Sequence, residues 1–261
     1  MQYNISHITG DGGLFRFMDN CYNIEHTVDL ILSDLSNEKV ELKTILCGLL
    51  FNVNKFISNK PTLIGLGGVP GVGKSTYSIK YYKENYFIIN PDNYRKFHPS
   101  YLSLSTNNLI SVTNELSSQI SELLFKILTT LSCNIVIECT FANYNYWQSF
   151  LQRNSVYLSN YYKTLIFLSA PLEICYQAMC FRYKIEEQNL TELIPRPVKR
   201  EFLIDRAKKI EESVSKYTFS NLFDEILFMH KHAMCSDFVQ ISYDDYLAII
   251  NEYKESQYEI I

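Results

Sequence analysis

The stretch Pro61-Thr62-Leu63-Ile64-Gly65-Leu66-Gly67-Gly68-Val69-Pro70-Gly71-Val72-Gly73-Lys74-Ser75-Thr76 contains the pattern GxxxxGK[ST] between Gly68 and Ser75. Each part of the pattern has a physical task. Glycines let the backbone take positive φ and come close to a ligand. Successive N–H groups then point into one concavity that suits phosphate oxygens. The segment Gly68, Pro70, Gly71, Val72, Gly73, Lys74, Ser75 and Thr76 is therefore the expected phosphate cradle. Lys74 brings a positive charge to the β/γ phosphates, and the Ser75 hydroxyl can ligate Mg²⁺. A helix starting here adds its positive dipole end.

The pattern needs a strand before it and a helix after it. Pro61 to Gly67 is a short apolar run of buried-strand type. Ser75 to Lys83 has no Pro or Gly and reads as a helix. Further along, strand-like runs at 86–89, 134–137, 164–168, 226–228 and 238–241 alternate with helical stretches. The helices are read from the apolar positions Leu109 to Leu131, then at 143–157, 171–183, 198–217 and 243–258. Such alternation predicts an α/β fold, a parallel sheet with helices on both faces. Before the loop, Ile24, Val28, Ile31 and Leu35 recur at helical spacing, as do Leu42, Leu46, Leu49, Val53 and Phe56. The division expected is a helical extension at 1–60 and a P-loop domain at 61–261.

The 261 residues can bury one large core, or one domain plus a module. A net charge of −4 without a basic block argues against a protein that holds nucleic acid. The longest apolar runs are too short to span a bilayer, and Met1 to Ser6 has no signal-peptide pattern. Seven cysteines, an odd count with no C-x-x-C pair, read as reduced thiols in a cytoplasmic protein. Cys139 reads as a packing residue, since no base neighbours it in sequence.

A second constellation follows the second strand, Asn90-Pro91-Asp92-Asn93-Tyr94-Arg95-Lys96-Phe97-His98-Pro99. In an open parallel sheet, ligands bind outside the carboxyl ends of the strands. Asp92 sits there, able to accept a proton from an attacking hydroxyl or to hold Mg²⁺. Arg95 and His98 can bind an anionic substrate. Equally, Asp92 reads as a helix cap or turn residue and His98 as a surface histidine. Glu138, ending the third strand, should face the same cleft, where it could bond a sugar hydroxyl, serve a metal through water, or close a salt bridge. Arg182 and Arg196 bracket a polar stretch, which suggests a mobile lid over the γ-phosphate.

Taken together, Gly68 to Ser75, Asp92-x-x-Arg95-x-x-His98-Pro99, Glu138-x-Thr140 and the Arg182/Arg196 pair resemble the zeta toxins, P-loop kinases of bacterial toxin–antitoxin systems. The resemblance covers residues 61–241. It implies ATP and Mg²⁺ as cofactors, and phosphorylation of the sugar 3′-hydroxyl of UDP-N-acetylglucosamine. It also implies roles: Asp92 as general base, Lys74 on the phosphates, Ser75 on Mg²⁺, Arg182 and Arg196 on the transferring phosphoryl, Glu138 and Thr140 on the UDP-sugar. Where the family often carries arginine two residues after the threonine, this chain has Ala142. Residues 1–60 lie outside the resemblance. They are expected either to pack near the nucleotide and restrain activity in cis, with or without a separate antitoxin, or only to cover the sheet. The alternatives are a kinase of a nicotinamide dinucleotide or polynucleotide end, and a non-catalytic ATP-binding protein. A GTPase is disfavoured, because both Asn-Lys pairs, Asn54-Lys55 and Asn59-Lys60, precede the loop and lack the Asp.

Overall fold

The computed structural model describes residues 23–33, 39–105, 108–188 and 199–255. Helices α1 (Asn23–Leu32) and α2 (Lys39–Leu49) precede β1 (Thr62–Gly67). Then come α3 (Lys74–Tyr82), β2 (Phe87–Ile89), a 3₁₀ turn (Pro91–Phe97), α4 (Leu109–Thr130) and β3 (Ile135–Glu138). The chain continues through α5 (Tyr144–Arg153), β4 (Tyr162–Ser169), α6 (Leu172–Glu187) and α7 (Arg200–Thr218). It closes with β5 (Glu225–His230), β6 (Val239–Ile241) and α8 (Tyr243–Glu255).

The six strands form one sheet in the order β2-β3-β1-β4-β5-β6. β1 lies between β3 and β4, with Leu66 opposite Glu138 and Gly67 opposite Phe167. Its residues from Leu63 onward are buried, as are all four of β3, which is why these strands read as unbroken apolar runs. The crossover through α3 runs from β1 to the β2 edge, and the one through α4 runs back. Right-handed crossovers of opposite sense put α3 and α4 on opposite faces. The carboxyl ends of β1, β2, β3, β4 and β5 all emerge on one edge.

Three sequence expectations need correction. β6 pairs antiparallel with β5, because only residues 231–238 connect them, too few for a crossover. The second N-terminal helix ends at Leu49, and Val53–Phe56 form a 3₁₀ turn instead. There the backbone turns to tertiary partners: Asn134 N–H donates to Phe56 O at 2.8 Å and Ser58 N–H to Ser132 O at 2.9 Å. The helix expected at 171–183 runs to Glu187, so residues 184–187 of the supposed lid are helical.

The described part of the extension belongs to the main core. Val28, Leu32, Leu42, Leu46, Leu50, Val53 and Phe56 are buried in the same cluster as β1 and α4. α1 and α2 pack against α4. Burying a large aliphatic or aromatic side chain is worth about 1.5–3 kcal/mol, against a total stability of about 5–15 kcal/mol. Deleting residues 1–60 is therefore expected to yield no cooperatively folded protein. The check is a thermal melt of the truncated chain by circular dichroism. Among the described residues no helix is long and apolar enough to cross a membrane.

Candidate nucleotide and acceptor site

The loop after β1 is shaped by its glycines. Gly71 sits at φ +78, and a Cβ there would lie 2.2 Å from the carbonyl oxygen of Cys175 on α6. Any side chain must both strain the backbone and push α6 away. Gly71→Val is expected to remove ATP binding measured by calorimetry, and to cost about 1–3 kcal/mol in a denaturant melt.

Lys74 opens α3, and its ammonium folds across the loop to donate to Gly68 O at 2.9 Å and Val69 O at 3.0 Å. Burial lowers its pKa from that of a free lysine, while Cys139, Glu138 and Asp92 act in the opposite sense. Gly73 caps α3 in the left-handed region without a side-chain cap, so no side-chain acceptor occupies that position. Ser75 and Thr76 face solvent in the first turn.

Glu138, only 4% exposed, is the hub of the cleft. Its carboxylate accepts from Ser75 Oγ at 2.8 Å, from Asn90 Nδ2 at 2.9 Å and from Ser78 Oγ. Parallel pairing of β1 with β3 brings Glu138 there, since Leu66 is its register partner and the phosphate loop starts two residues on. The structure thus joins Glu138 directly to Ser75 of the loop. Ser78 and Asn90 escaped the sequence reading. Ser78 lies three residues after Ser75, on the same face of α3. Asn90-Pro91 carries a helix N-cap followed by Pro at the first position, a signal that could have found it.

Asn90 also accepts from Asp92 N–H at 3.1 Å, so it caps the 3₁₀ turn that carries Asp92. The Asp92 side chain is 45% exposed, and its Oδ1 accepts from Arg95 Nε at 2.9 Å. Arg95 is buried rather than open to solvent. Its guanidinium bonds Thr113 Oγ1 at 3.0 Å, with longer contacts to Ile110 O at 3.4 Å and Asn114 Oδ1 at 3.5 Å. It ties Asp92 to the start of α4. His98 ends the turn, its Nδ1 accepting from Ser100 N–H at 3.2 Å.

Beside this cleft lies a cavity of about 750 Å³, bounded by α4, α5, α7 and the ends of β2 and β3. Thr140, Asn114, Trp147, Tyr146, Arg206 and Lys216 are among its walls. Thr140 is carried to it by Phe141, a bulky residue at φ 52 whose ring stacks on Trp147 at 4.4 Å. Burial pushes the Cys139 thiol up to about 12, in keeping with a packing role. Ala142 lines this cavity together with Arg206, Lys209 and Lys216 of α7.

Arg182 stands on α6 with Nε 3.6 Å from Glu186 Oε1. Arg196 lies outside the described residues.

The family model for "Zeta toxin" matches residues 52–235. Toxin PezT of Streptococcus pneumoniae serotype 4 is 28% identical over 170 residues, which cover 59% of this chain. The match spans 65% of that toxin's length, just under two thirds. Among solved structures, the PezAT toxin–antitoxin system of Streptococcus pneumoniae superposes with a TM-score of 0.58 at 20% identity, covering 84% of this chain and 96% of that one. The AvrRxo1-ORF1:-ORF2 complex with ATP superposes with a TM-score of 0.55 at 14% identity, covering 78% of this chain and 66% of that one. These superpositions share the fold. Because the family match takes in the phosphate loop, the Asp92 turn, Glu138 and most of the sheet, the chain belongs to the zeta toxin family.

Proposed function

We propose that this chain is an ATP-dependent kinase whose acceptor is the sugar 3′-hydroxyl of UDP-N-acetylglucosamine. The observation that carries the proposal is the position of Asp92. Its half-exposed carboxylate is anchored by Arg95 on the edge that holds Lys74 and Ser75, next to a cavity of about 750 Å³. That volume suits a substrate of nucleotide-sugar size. Its aromatic walls suit a base or sugar face, and Arg206 and Lys216 suit a diphosphate.

Ser75 and Glu138 supply a hydroxyl and carboxylate oxygens, the hard donors that Mg²⁺ takes alongside phosphates and water. Bound there, Mg²⁺ would neutralise charge on the phosphates. The chain's own part is positioning. The loop amides and Lys74 hold the phosphate chain, Asp92 takes the proton from the sugar hydroxyl, and stabilising the transferring phosphoryl is the role proposed for Arg182 and Arg196. Thr140 and His98 are proposed to meet the acceptor, and the activity is proposed to be cytosolic.

The test is incubation with ATP·Mg²⁺ and a panel of UDP-sugars, nicotinamide dinucleotides and nucleosides, read by mass spectrometry for a gain of one phosphate. Product on UDP-N-acetylglucosamine supports the proposal; product elsewhere but on no UDP-sugar overturns the acceptor.

Restraint of this activity, in cis or by an antitoxin partner, is part of the proposal. Restraint in cis is proposed for residues 1–60, of which 1–22 lie outside the described residues while α1 and α2 pack against α4. A chain lacking 1–22 should turn over ATP faster and inhibit growth more. Equal turnover in a folded, truncated chain would exclude restraint in cis by residues 1–22.

A further inference from the structure

A lysine stem packed out of solvent with its ammonium against a phosphate loop and no anionic side chain beside it is placed to receive an anion. Lys231, the residue after β5, is 6% exposed. Its N–H donates to Ser169 O at 3.1 Å, which fixes it against the end of β4. Among the described residues its ammonium makes no ion pair and no hydrogen bond. Its neighbours are the Phe238 ring, with the centroid 5.3 Å away, and the phosphate loop itself. A Cβ built on Gly73 would lie 3.0 Å from Lys231 Nζ. Burial lowers the pKa of Lys231, against smaller opposing effects from Cys175 and Cys235. A ring face offsets only part of the cost of burying the charge.

The turn that follows is fastened to α3. Phe238 meets Tyr77 edge to face at 5.3 Å, and Asp237 pairs with Lys80. The ammonium is therefore held against the cradle by a braced segment. The sheet order gives its direction. Asp92 follows β2 at one end of the sheet, while Lys231 follows β5 on the other side of β1. A phosphate chain that presents its γ-phosphoryl toward Asp92 leaves its α and β phosphates toward β5.

We propose that Lys231 is a second phosphate-binding cation of the nucleotide site, contacting the α/β phosphates of a nucleoside di- or triphosphate. The inference rests on the ATP-site reading above. Phosphates that stay with the leaving nucleotide are bound before and after transfer, so the contact should contribute to affinity rather than to the chemical step.

The experiment uses the full chain and Lys231→Met, which keeps the aliphatic stem against Phe238. Calorimetry with ATP and with ADP should show affinity falling about tenfold for both alike. The KM for ATP should rise to match, with kcat held within about twofold. The ligand-free variant should melt close to the parent temperature, because methionine keeps the stem's packing against Phe238. Unchanged affinities overturn the inference. So does a loss confined to ATP, which would put the lysine at the γ end, or a lower ligand-free melting temperature, which would make it structural. Lys74→Ala separates this from the broader reading. If Lys74→Ala abolishes ATP binding and Lys231→Met does not weaken it, only this inference fails. If neither variant changes ATP binding, the nucleotide site itself is misread.

Discussion

Asp92→Asn should bind ATP as the parent does and transfer phosphoryl about 10²–10⁴-fold more slowly, the usual contribution of a positioned general base. The substitution is conservative in shape. The Asn carbonyl can still accept from Arg95 Nε, which now reaches Asp92 Oδ1 at 2.9 Å, and the Asn90 cap on its backbone is untouched. The turn should therefore persist, and a melt should shift little. What is lost is the negative charge and the basic oxygen. Comparing ATP affinity by calorimetry with acceptor-dependent ADP release separates the two roles. A variant that keeps more than about a tenth of the parent rate would remove Asp92 from proton transfer. One that loses ATP affinity instead would make it part of the phosphate site. Arg95→Met supplies the comparison, since it leaves the carboxylate but frees it from α4. Its rate loss should be smaller than that of Asp92→Asn, because the base is displaced rather than deleted.

The legible parts of this fold are those whose causes are local. The phosphate loop announces itself because positive φ at Gly68, Gly71 and Gly73 and the charge of Lys74 all fall within ten residues. Asp92 could be placed because it directly follows a strand, and parallel strands send their carboxyl ends to one edge. Arg95 was different. Whether an arginine three residues from a carboxylate faces a ligand or turns inward depends on Thr113 and Asn114, on a helix that sequence cannot dock. The same holds for Val53 and Phe56, which keep helical spacing although the backbone there is claimed by residues 132–134. Lys231 carries no motif; its position depends on the β4–β5 pairing that sets it opposite the end of β4. Glu138 lay between these cases. Its edge followed from the strand, but its partners required β1 and β3 to be neighbours.

Those partners make Glu138 the residue on which two roles can be told apart. As a holder of the UDP-sugar, which the family resemblance implies, it should act on the acceptor. As the carboxylate behind Ser75, which the 2.8 Å bond suggests, it should act on Mg²⁺. Glu138→Gln removes the charge and keeps the size. The side chain still has one acceptor oxygen for Asn90, whose own oxygen is committed to Asp92 N–H. The retained acceptor oxygen, in the Oε2 place, also keeps the Ser75 hydroxyl as a donor, so the new amide N–H groups face Ser78, whose hydroxyl can rotate to accept. The fold should survive at a cost of about 1–2 kcal/mol in a denaturant melt. Activity should fall about 10²–10³-fold, on the scale of removing a preorganised electrostatic group. The deciding readout is the metal. In the Mg²⁺ role, ADP binding measured at increasing Mg²⁺ should need about 10–100-fold more of the ion, and high Mg²⁺ should restore part of the rate. In the sugar role, ADP binding should keep its Mg²⁺ dependence while the acceptor KM rises. The buried carboxylate with Ser75, Ser78 and Asn90 turned toward it favours the first result, because a group reserved for a sugar hydroxyl would not need the phosphate loop's own serine as a donor.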